Sequence, residues 1–167
     1  NTAAASMEQI GRAATATGAS IDDLSKLGYA ALSNLQVPVS DLAKSFDILA
    51  YAGKQGGFEL KDMAQYFPEL GAAAQGFGQK GTMAVADMGA ALQIVRRGTG
   101  DAAQAATSLA NLYQKARSPL TVKKFSEFGI NIRKEIDKGI ASGRSPIEVV
   151  VEQAKRAMKK GAILEDL

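Results

Sequence analysis

Three kinds of motif in this sequence have residue types and spacings that could carry chemistry. The first is Gly76-Phe-Gly78-Gln-Lys-Gly81, which has the GxGxxG spacing of dinucleotide-binding loops. Such a loop binds pyrophosphate when it follows a buried strand and opens a helix, because the free helix amides then face the ligand. Here a helical run, Gly71-Ala-Ala-Ala-Gln75, precedes the glycines. The context therefore predicts a hinge between helices and not a nucleotide site.

Paired carboxylates are the second kind of motif, since two carboxyl groups can share acid–base work on a glycoside. The candidate pairs are Asp22/Asp23, Glu59/Asp62 and Glu165/Asp166. The first two pairs lie where helices are predicted to begin, and acidic side chains there stabilise the positive end of the helix dipole. We interpret them as capping groups.

Basic doublets are the third kind of motif, and they are Arg96-Arg97, Lys123-Lys124 and Lys159-Lys160. They lie far apart in the sequence and have no aromatic residues between them. The net charge is +3, from 20 Lys and Arg against 17 Asp and Glu. Such a charge spread along the chain is a weak indication of nucleic-acid binding, since binders cluster their basic residues on one face. We predict solvated helix ends and no sequence-specific nucleic acid, with non-specific contact to DNA phosphates as the alternative.

The residue types that are missing exclude most enzyme classes. The chain has no His and no Cys, which removes Ser-His-Asp and Cys-His nucleophiles, zinc sites with Cys or His ligands, disulfides and iron–sulfur clusters. No Walker loop is present. We therefore predict a protein that is not an enzyme and binds no cofactor or metal. No apolar run approaches the roughly 20 residues that span a bilayer.

Apolar residues recur at three- and four-residue steps over most of the chain, which predicts helices. Ser20 is expected to cap one helix, with Asp23 three residues later as in a capping box. Pro38 should end this helix, and another is predicted from about 40 to 53. The next helix is expected to be kinked or ended by Pro68.

The strongest helical patterns lie between 82 and 117. One helix is predicted to end at Arg96-Arg97-Gly98, where cations favour the negative end of the dipole and glycine tolerates a left-handed cap. A second helix is predicted to end near Arg117. Because Thr99-Gly100 is a very short connection, we predict an antiparallel αα-hairpin over 82–117.

The pattern changes after Thr121. A short helix ended by Gly129 is followed by alternating isoleucines, Ile130, Ile132 and Ile136, which allow a small β-hairpin near 130–141. Ser145-Pro146-Ile147-Glu148 has the residues of a capping box with proline at the first helical position, so a final helix is predicted to begin there.

The sequence thus predicts a mainly α fold, an array of short antiparallel helices and αα-hairpins. Apolar faces in two regions, 82–117 and 147–158, supply the side chains that we single out for packing or interaction. They are Val85, Met88, Leu92, Val95, Leu109, Leu112, Ile147, Val150 and Val151. Small residues on helix faces, such as Gly89-Ala-Ala91, let backbones approach closely, either within one chain or between copies of it.

A series of stretches occurs in a characteristic order. They are Phe46-Asp-Ile-Leu-Ala-Tyr-Ala-Gly-Lys-Gln-Gly-Gly-Phe58, Phe67-Pro-Glu-Leu70, Val85-Ala-Asp-Met-Gly-Ala-Ala-Leu92, Gly98-Thr-Gly-Asp-Ala-Ala103, Leu109-Ala-Asn-Leu112, Pro119 and Phe125-Ser-Glu-Phe-Gly-Ile130. This order resembles the core region of phage tail tape measure proteins. The resemblance covers about residues 20–160 and rests on the order and spacing of the stretches.

The resemblance implies a structural protein of the virion, carried in the lumen of the tail tube, with a role in tail length, tail assembly and genome ejection. Its implied partners are tail tube and tail tip proteins, tail assembly chaperones, further copies of itself and the host membrane. The implied locations are the virion and, during assembly, the host cytoplasm. We expect a segment of a longer chain, with a helical extension at 1–19, a helical core at 20–160 and a tail at 161–167.

Two other classes of function stay open at this point. One is a helical adaptor that binds a partner helix in a groove, which an exposed apolar patch would support. The other is a membrane-active bundle of amphipathic helices.

Overall fold

The computed structural model of the chain describes residues 2–163. Over these residues the chain is helical and contains no strand, as expected for a mainly α fold. The helices are α1 Thr2–Thr17, α2 Ile21–Ser33, α3 Leu42–Gly56, α4 Leu60–Gly76, α5 Gly81–Arg97, α6 Ala102–Ala116, α7 Pro119–Glu127, α8 Ile132–Ala141 and α9 Pro146–Met158. A single 3-10 turn, Val39–Asp41, precedes α3.

The chain divides into two compact units. The first is Asn1–Ala110 and the second is Asn111–Leu167, so the division falls inside α6. The expected array of short helices is confirmed in both units.

The core of the first unit is built from two helix pairs, α2 with α4 and α3 with α5, and α1 packs on α2 and α3. Large side chains such as Leu24, Leu49, Phe67 and Met88 are fully buried there. Burial of one such side chain stabilises the fold by about 1.5–3 kcal/mol.

The predicted hairpin over 82–117 is corrected by this packing. Both helices form with the predicted limits, but α5 packs mainly against α3 and not against α6. The contact is close because Gly89 of α5 has no side chain: a Cβ added there would lie 3.1 Å from Leu49 Cδ2 and 3.4 Å from Ala52 Cβ. A short connection fixes the order of two helices, but it does not fix the angle at which they separate.

Pro68 neither ends nor divides a helix, since α4 continues through it to Gly76. The proline ring would normally collide with the turn that precedes it. Buried side chains on both sides of the proline, Phe67 and Leu70, hold the helix in its core.

In the second unit, the β-hairpin expected near 130–141 is wrong, because Ile132–Ala141 forms α8. Ile132, Ile136 and Ile140 are four residues apart and so lie on one helix face, where the first two are fully buried. Asn131 caps the helix, and its side-chain oxygen accepts from the Lys134 N–H at 3.1 Å. This cap and the four-residue spacing outweigh the β-propensity of isoleucine.

The final helix α9 begins after Ser145 with Pro146 in its first turn, as predicted. The side chain of Ser145 makes no capping hydrogen bond, so the full capping box is not formed. By contrast, Ser20 does cap α2, with Oγ accepting from the Asp23 N–H at 3.0 Å and donating to Asp23 Oδ2 at 2.7 Å.

Candidate functional site

The glycine motif at 76–81 connects two helices. Phe77 caps α4 and is buried, and Gly81 begins α5. Gly78 and Gly81 both have positive φ, at 92° and 72°, which favours glycine at these positions. Gln79 points inward, and its Nε2 donates to Asp87 Oδ2 at 3.0 Å. The predicted hinge between helices is confirmed, and no strand precedes the loop as a nucleotide site would require.

The described carboxylate candidates lie where helices begin, as predicted, but they are not all capping groups: Asp23 accepts a hydrogen bond from the capping residue Ser20, whereas Glu59 makes no capping hydrogen bond on α4. Asp22 pairs with Lys26, and Glu59 accepts a contact of 3.1 Å from Lys61 Nζ. Hydrogen bonding and charge from these carboxylates raise the pKa of both lysines. The third candidate pair, Glu165/Asp166, lies outside the described residues.

Between residues 2 and 163, acidic side chains form no group that could hold a metal ion. None of the helices described has the length and hydropathy of a membrane span.

The residues singled out for packing or interaction fall into three groups. Val85, Met88, Leu92 and Leu109 are fully buried, and Val150 is nearly so. Val95, Leu112 and Ile147 are half-buried. Val151 is 44% exposed. The first group forms core, and the last two groups keep surface that a partner could contact.

The exposure of Val151 shows that α9 buries a different face from the one predicted. Its buried residues are Pro146, Val149, Val150, Gln153 and Ala157. The predicted face, Ile147, Val150, Val151, Ala154 and Met158, is turned by about one residue, and only Val150 is common to both. The run Val149-Val150-Val151 fits either assignment, so the sequence pattern alone does not separate them.

Consequently α9 carries more apolar surface than its own unit buries. Ile147, Val151, Ala154 and Met158 follow the spacing of one helix face, and Met158 is 46% exposed. They form what we call the α9 stripe. A helix needs an apolar arc of about 100° to face a core. The buried face of α9 and the α9 stripe together cover a wider arc than this.

A tight turn between α3 and α4 is held by α5. The side-chain amide of Gln93, on α5, makes two hydrogen bonds to the backbone of Phe58: Nε2 donates to the carbonyl at 3.0 Å and Oε1 accepts from the N–H at 3.1 Å. Both residues are buried. The amide thereby satisfies a donor and an acceptor that would otherwise be buried without partners.

Glycines make this turn possible. A Cβ on Gly53 would lie 2.9 Å from the backbone of Phe58 and Glu59, and a Cβ on Gly56 would overlap the Gln93 side chain. Gly57 ends α3 in the left-handed conformation, with φ 76°. The Gly-Gly pair therefore lets α5 approach the turn.

A groove of about 450 Å³ lies between α1 and α3 in the first unit. Many of the residues that line it from the two helices are small, among them Ala13, Ala16, Ala43 and Ala50. Its charged and aromatic lining residues are Arg12, Asp47, Tyr51 and Lys54. Tyr51 is 68% exposed.

Sequence reasoning missed Gln93, Gly53, Gly56 and Val149. One signal was present for Gln93: it stands four residues after Gly89 and eight after Val85, in an otherwise apolar helix face. A polar residue in such a position needs a partner. Its partner, Phe58, lies 35 residues away, and no local pattern identifies it.

Comparisons with known proteins relate the chain to phage tail proteins. A family model described as phage-related minor tail protein matches residues 1–166. A protein of Burkholderia phage BcepMu, named "Probable tape measure protein", is 34% identical over 148 residues, which make up 88% of this chain and 18% of that protein. The chain thus spans less than a fifth of the length of this relative. No solved structure matches the chain.

Proposed function

Because the chain belongs to the phage-related minor tail protein family, we propose that it is a segment of a tape measure protein that contributes to tail length. The alignment with the BcepMu protein carries this proposal, since it extends over 88% of the chain. The segment then acts in the lumen of the tail tube, during tail assembly and again when the genome is ejected. Before assembly it is in the host cytoplasm.

The helices described here suit a length-measuring role. A helix rises about 1.5 Å per residue, so a chain laid out as helix has a length proportional to its residue number. Short helices joined by glycine-containing connections, as at Gly56-Gly57 and Gly76–Gly81, can be packed in the free protein and laid out in a tube. No catalytic residues are needed for this role.

The proposed partners are other tail components: tail tube and tail tip proteins, tail assembly chaperones and further copies of this chain. The α9 stripe supports a role in such contacts, because Ile147, Val151 and Met158 remain accessible beside a completed core. The same stripe favours the adaptor alternative, in which a partner helix packs along α9. Contact with the host membrane during ejection is a further part of the proposal.

Tail length measured by electron microscopy tests the proposal. We would delete the segment in frame from the parent phage and, as a matched control, replace it by an unrelated helical sequence of equal length. The deletion should shorten tails by roughly 250 Å, from 167 residues at about 1.5 Å each, and the replacement should restore the length. Tails of normal length in the deletion phage would contradict the proposal, and loss of infectivity alone would identify an ejection or end-piece function.

A further inference from the structure

The positive charge of the chain is concentrated in its second unit. Residues 1–110 contain eight Lys and Arg and ten Asp and Glu, whereas residues 111–167 contain twelve Lys and Arg and seven Asp and Glu. The even spread assumed from the net charge of +3 is therefore wrong. The doublets Lys123-Lys124 and Lys159-Lys160 therefore belong to a part of the chain with a net positive charge.

The end of α9 is hydrogen-bonded to the connection between α7 and α8, and basic residues lie in the sequence on both sides of this contact. Lys160, just after α9, donates from Nζ to the carbonyl of Phe128 at 2.6 Å, in the connection between α7 and α8. This hydrogen bond joins the end of α9 to that connection. The two segments that this hydrogen bond connects, 123–135 and 155–160, carry eight cations, which we call the basic end. They are Lys123, Lys124, Arg133, Lys134, Lys155, Arg156, Lys159 and Lys160.

The basic end has little acidic compensation. Only Glu127 and Glu135 fall in the same segments, 123–135 and 155–160. Two other acidic residues of the unit, Asp137 and Glu152, pair with Arg117 and Arg144, and Glu152 also attracts Arg156, four residues later. All eight cations except Lys124 are exposed. Such a concentration of like charge repels itself, and a polyanion bound there would offset the repulsion.

We propose that the basic end binds the phosphate backbone of double-stranded DNA without sequence preference. The cations come from α7, α8, α9 and the segment just after α9. The exposed ones can neutralise several phosphates together, which is the basis of non-specific DNA binding. The proposal goes beyond tail-length determination and rests on it only for the setting, a tail through which DNA is delivered.

The arrangement of α9 favours DNA over a lipid surface. A helix that lies in a membrane interface buries its apolar stripe and carries cations on its polar face, and the cations that flank the stripe are the ones nearest the lipid headgroups. Residues two apart on a helix are separated by about 200°, so Arg156 points away from Met158 of the α9 stripe. Lys160 points toward the connection between α7 and α8. A membrane that contacted the stripe would reach Lys155, which follows Val151 by four residues, but it would leave Arg156 and Lys160 out of reach.

Fluorescence anisotropy of a labelled mixed-sequence DNA duplex, titrated with the 167-residue chain at several salt concentrations, tests the proposal. The expected dissociation constant lies at about 10⁻⁴–10⁻⁶ M near physiological salt, and log K should fall linearly with log salt, by about 0.9 per phosphate neutralised. Absence of binding at low salt would overturn the proposal.

Charge variants locate the site. The triple variant Lys155→Gln, Arg156→Gln, Lys159→Gln should reduce the magnitude of the salt slope by about 3. The matched control is Lys44→Gln, Lys80→Gln, Arg97→Gln, which removes the same charge from exposed positions of residues 1–110 and should leave the slope unchanged. Equal effects of both variants, with both helical by circular dichroism, would overturn the assignment.

Anionic lipid vesicles test whether the basic end binds a membrane surface instead of DNA. Binding to phosphatidylglycerol vesicles without binding to the duplex would assign the basic end to lipid and overturn the DNA proposal. Neither result bears on tail length, which is measured separately on deletion phages.

Discussion

The side-chain amide of Gln93 and the backbone of Phe58 form a two-hydrogen-bond pair, at 3.0 and 3.1 Å, that connects α5 to the turn between α3 and α4. Because Gly56 lies against the same amide, the turn, the glycine pair and Gln93 depend on each other. This relationship fixes how three of the helices of the first unit meet, and its loss has a measurable cost.

Replacement of Gln93 by leucine should destabilise the chain by about 1–3 kcal/mol, since it leaves a buried N–H and a buried carbonyl of Phe58 without partners. Urea unfolding followed by circular dichroism measures the change. Gln65→Leu is the control, because Gln65 is exposed on α4 and should change stability by less than about 0.5 kcal/mol. Equal changes in the two variants would show that the pair contributes nothing.

Gly139 and Gly11 should respond to alanine in opposite directions. A Cβ on Gly139 of α8 would overlap Val149 Cγ2 on α9, whereas a Cβ on Gly11 of α1 meets nothing within 4 Å. Gly139→Ala should therefore destabilise the chain by about 1–3 kcal/mol through overpacking. Gly11→Ala should stabilise it by about 0.5–1 kcal/mol, because alanine is the better helix former.

A double-mutant cycle checks the cause of the Gly139 effect. Val149→Ala removes the methyl groups that meet the new Cβ, so it should cost less in the Gly139→Ala background than in the wild type. Strict additivity would contradict the close approach of α8 and α9.

Adjacent valines of α9 should differ in their contribution to stability. Val150 is 8% exposed and Val151 is 44% exposed, so Val150→Ala should cost about 1–2 kcal/mol and Val151→Ala less than about 0.5 kcal/mol. Thermal unfolding of the two single variants compares them directly. A larger loss of stability in Val151→Ala than in Val150→Ala would contradict the buried face of α9 described above.

The Arg144–Glu152 ion pair makes a prediction about pH. Arg144 Nη2 lies 2.6 Å from Glu152 Oε2, and this hydrogen bond, followed by the charge of Arg144, holds the Glu152 pKa below its ordinary value. A lowered carboxyl pKa contributes stability that is present above the unfolded-state pKa and is lost as pH falls through the folded-state pKa. Since both side chains are about half exposed, the contribution is small.

Nuclear magnetic resonance titration of the Glu152 carboxyl carbon measures this shift. In Arg144→Gln the Glu152 pKa should rise toward its ordinary value, and in the control Lys61→Gln it should not move. An unchanged pKa in Arg144→Gln would show that the pair does not form in solution.

Local patterns predicted most of the helices, because helix limits depend on nearby residues. The Ser20 cap, the end of α5 at Arg97 and the start of α9 at Pro146 are each predicted by a few neighbouring residues. The left-handed cap expected at Gly98 is wrong, since its φ is −100°. The error at α8 arose from a conflict between two local signals, since isoleucines favour strands while their four-residue spacing and the Asn131 cap favour a helix. The spacing prevailed because it buries Ile132 and Ile136 together.

Packing between helices could be predicted far less well. The pairing of α5 with α3 depends on Gly89 fitting against Leu49, and the Gln93–Phe58 pair joins residues 35 positions apart. Neither has a local signature. The buried face of α9 was missed for a related reason: three consecutive valines leave the helix rotation to be decided by the surface against which it packs.

Tail length after duplication of this segment tests the central claim most directly, because a defective assembly can shorten tails but does not lengthen them by a defined amount. An in-frame tandem copy of the 167 residues in the parent phage should lengthen tails by roughly 250 Å, at about 1.5 Å per residue of helix. Intact tails of unchanged length, with the duplicated protein present in the virion, would contradict the claim that this segment contributes to the measure.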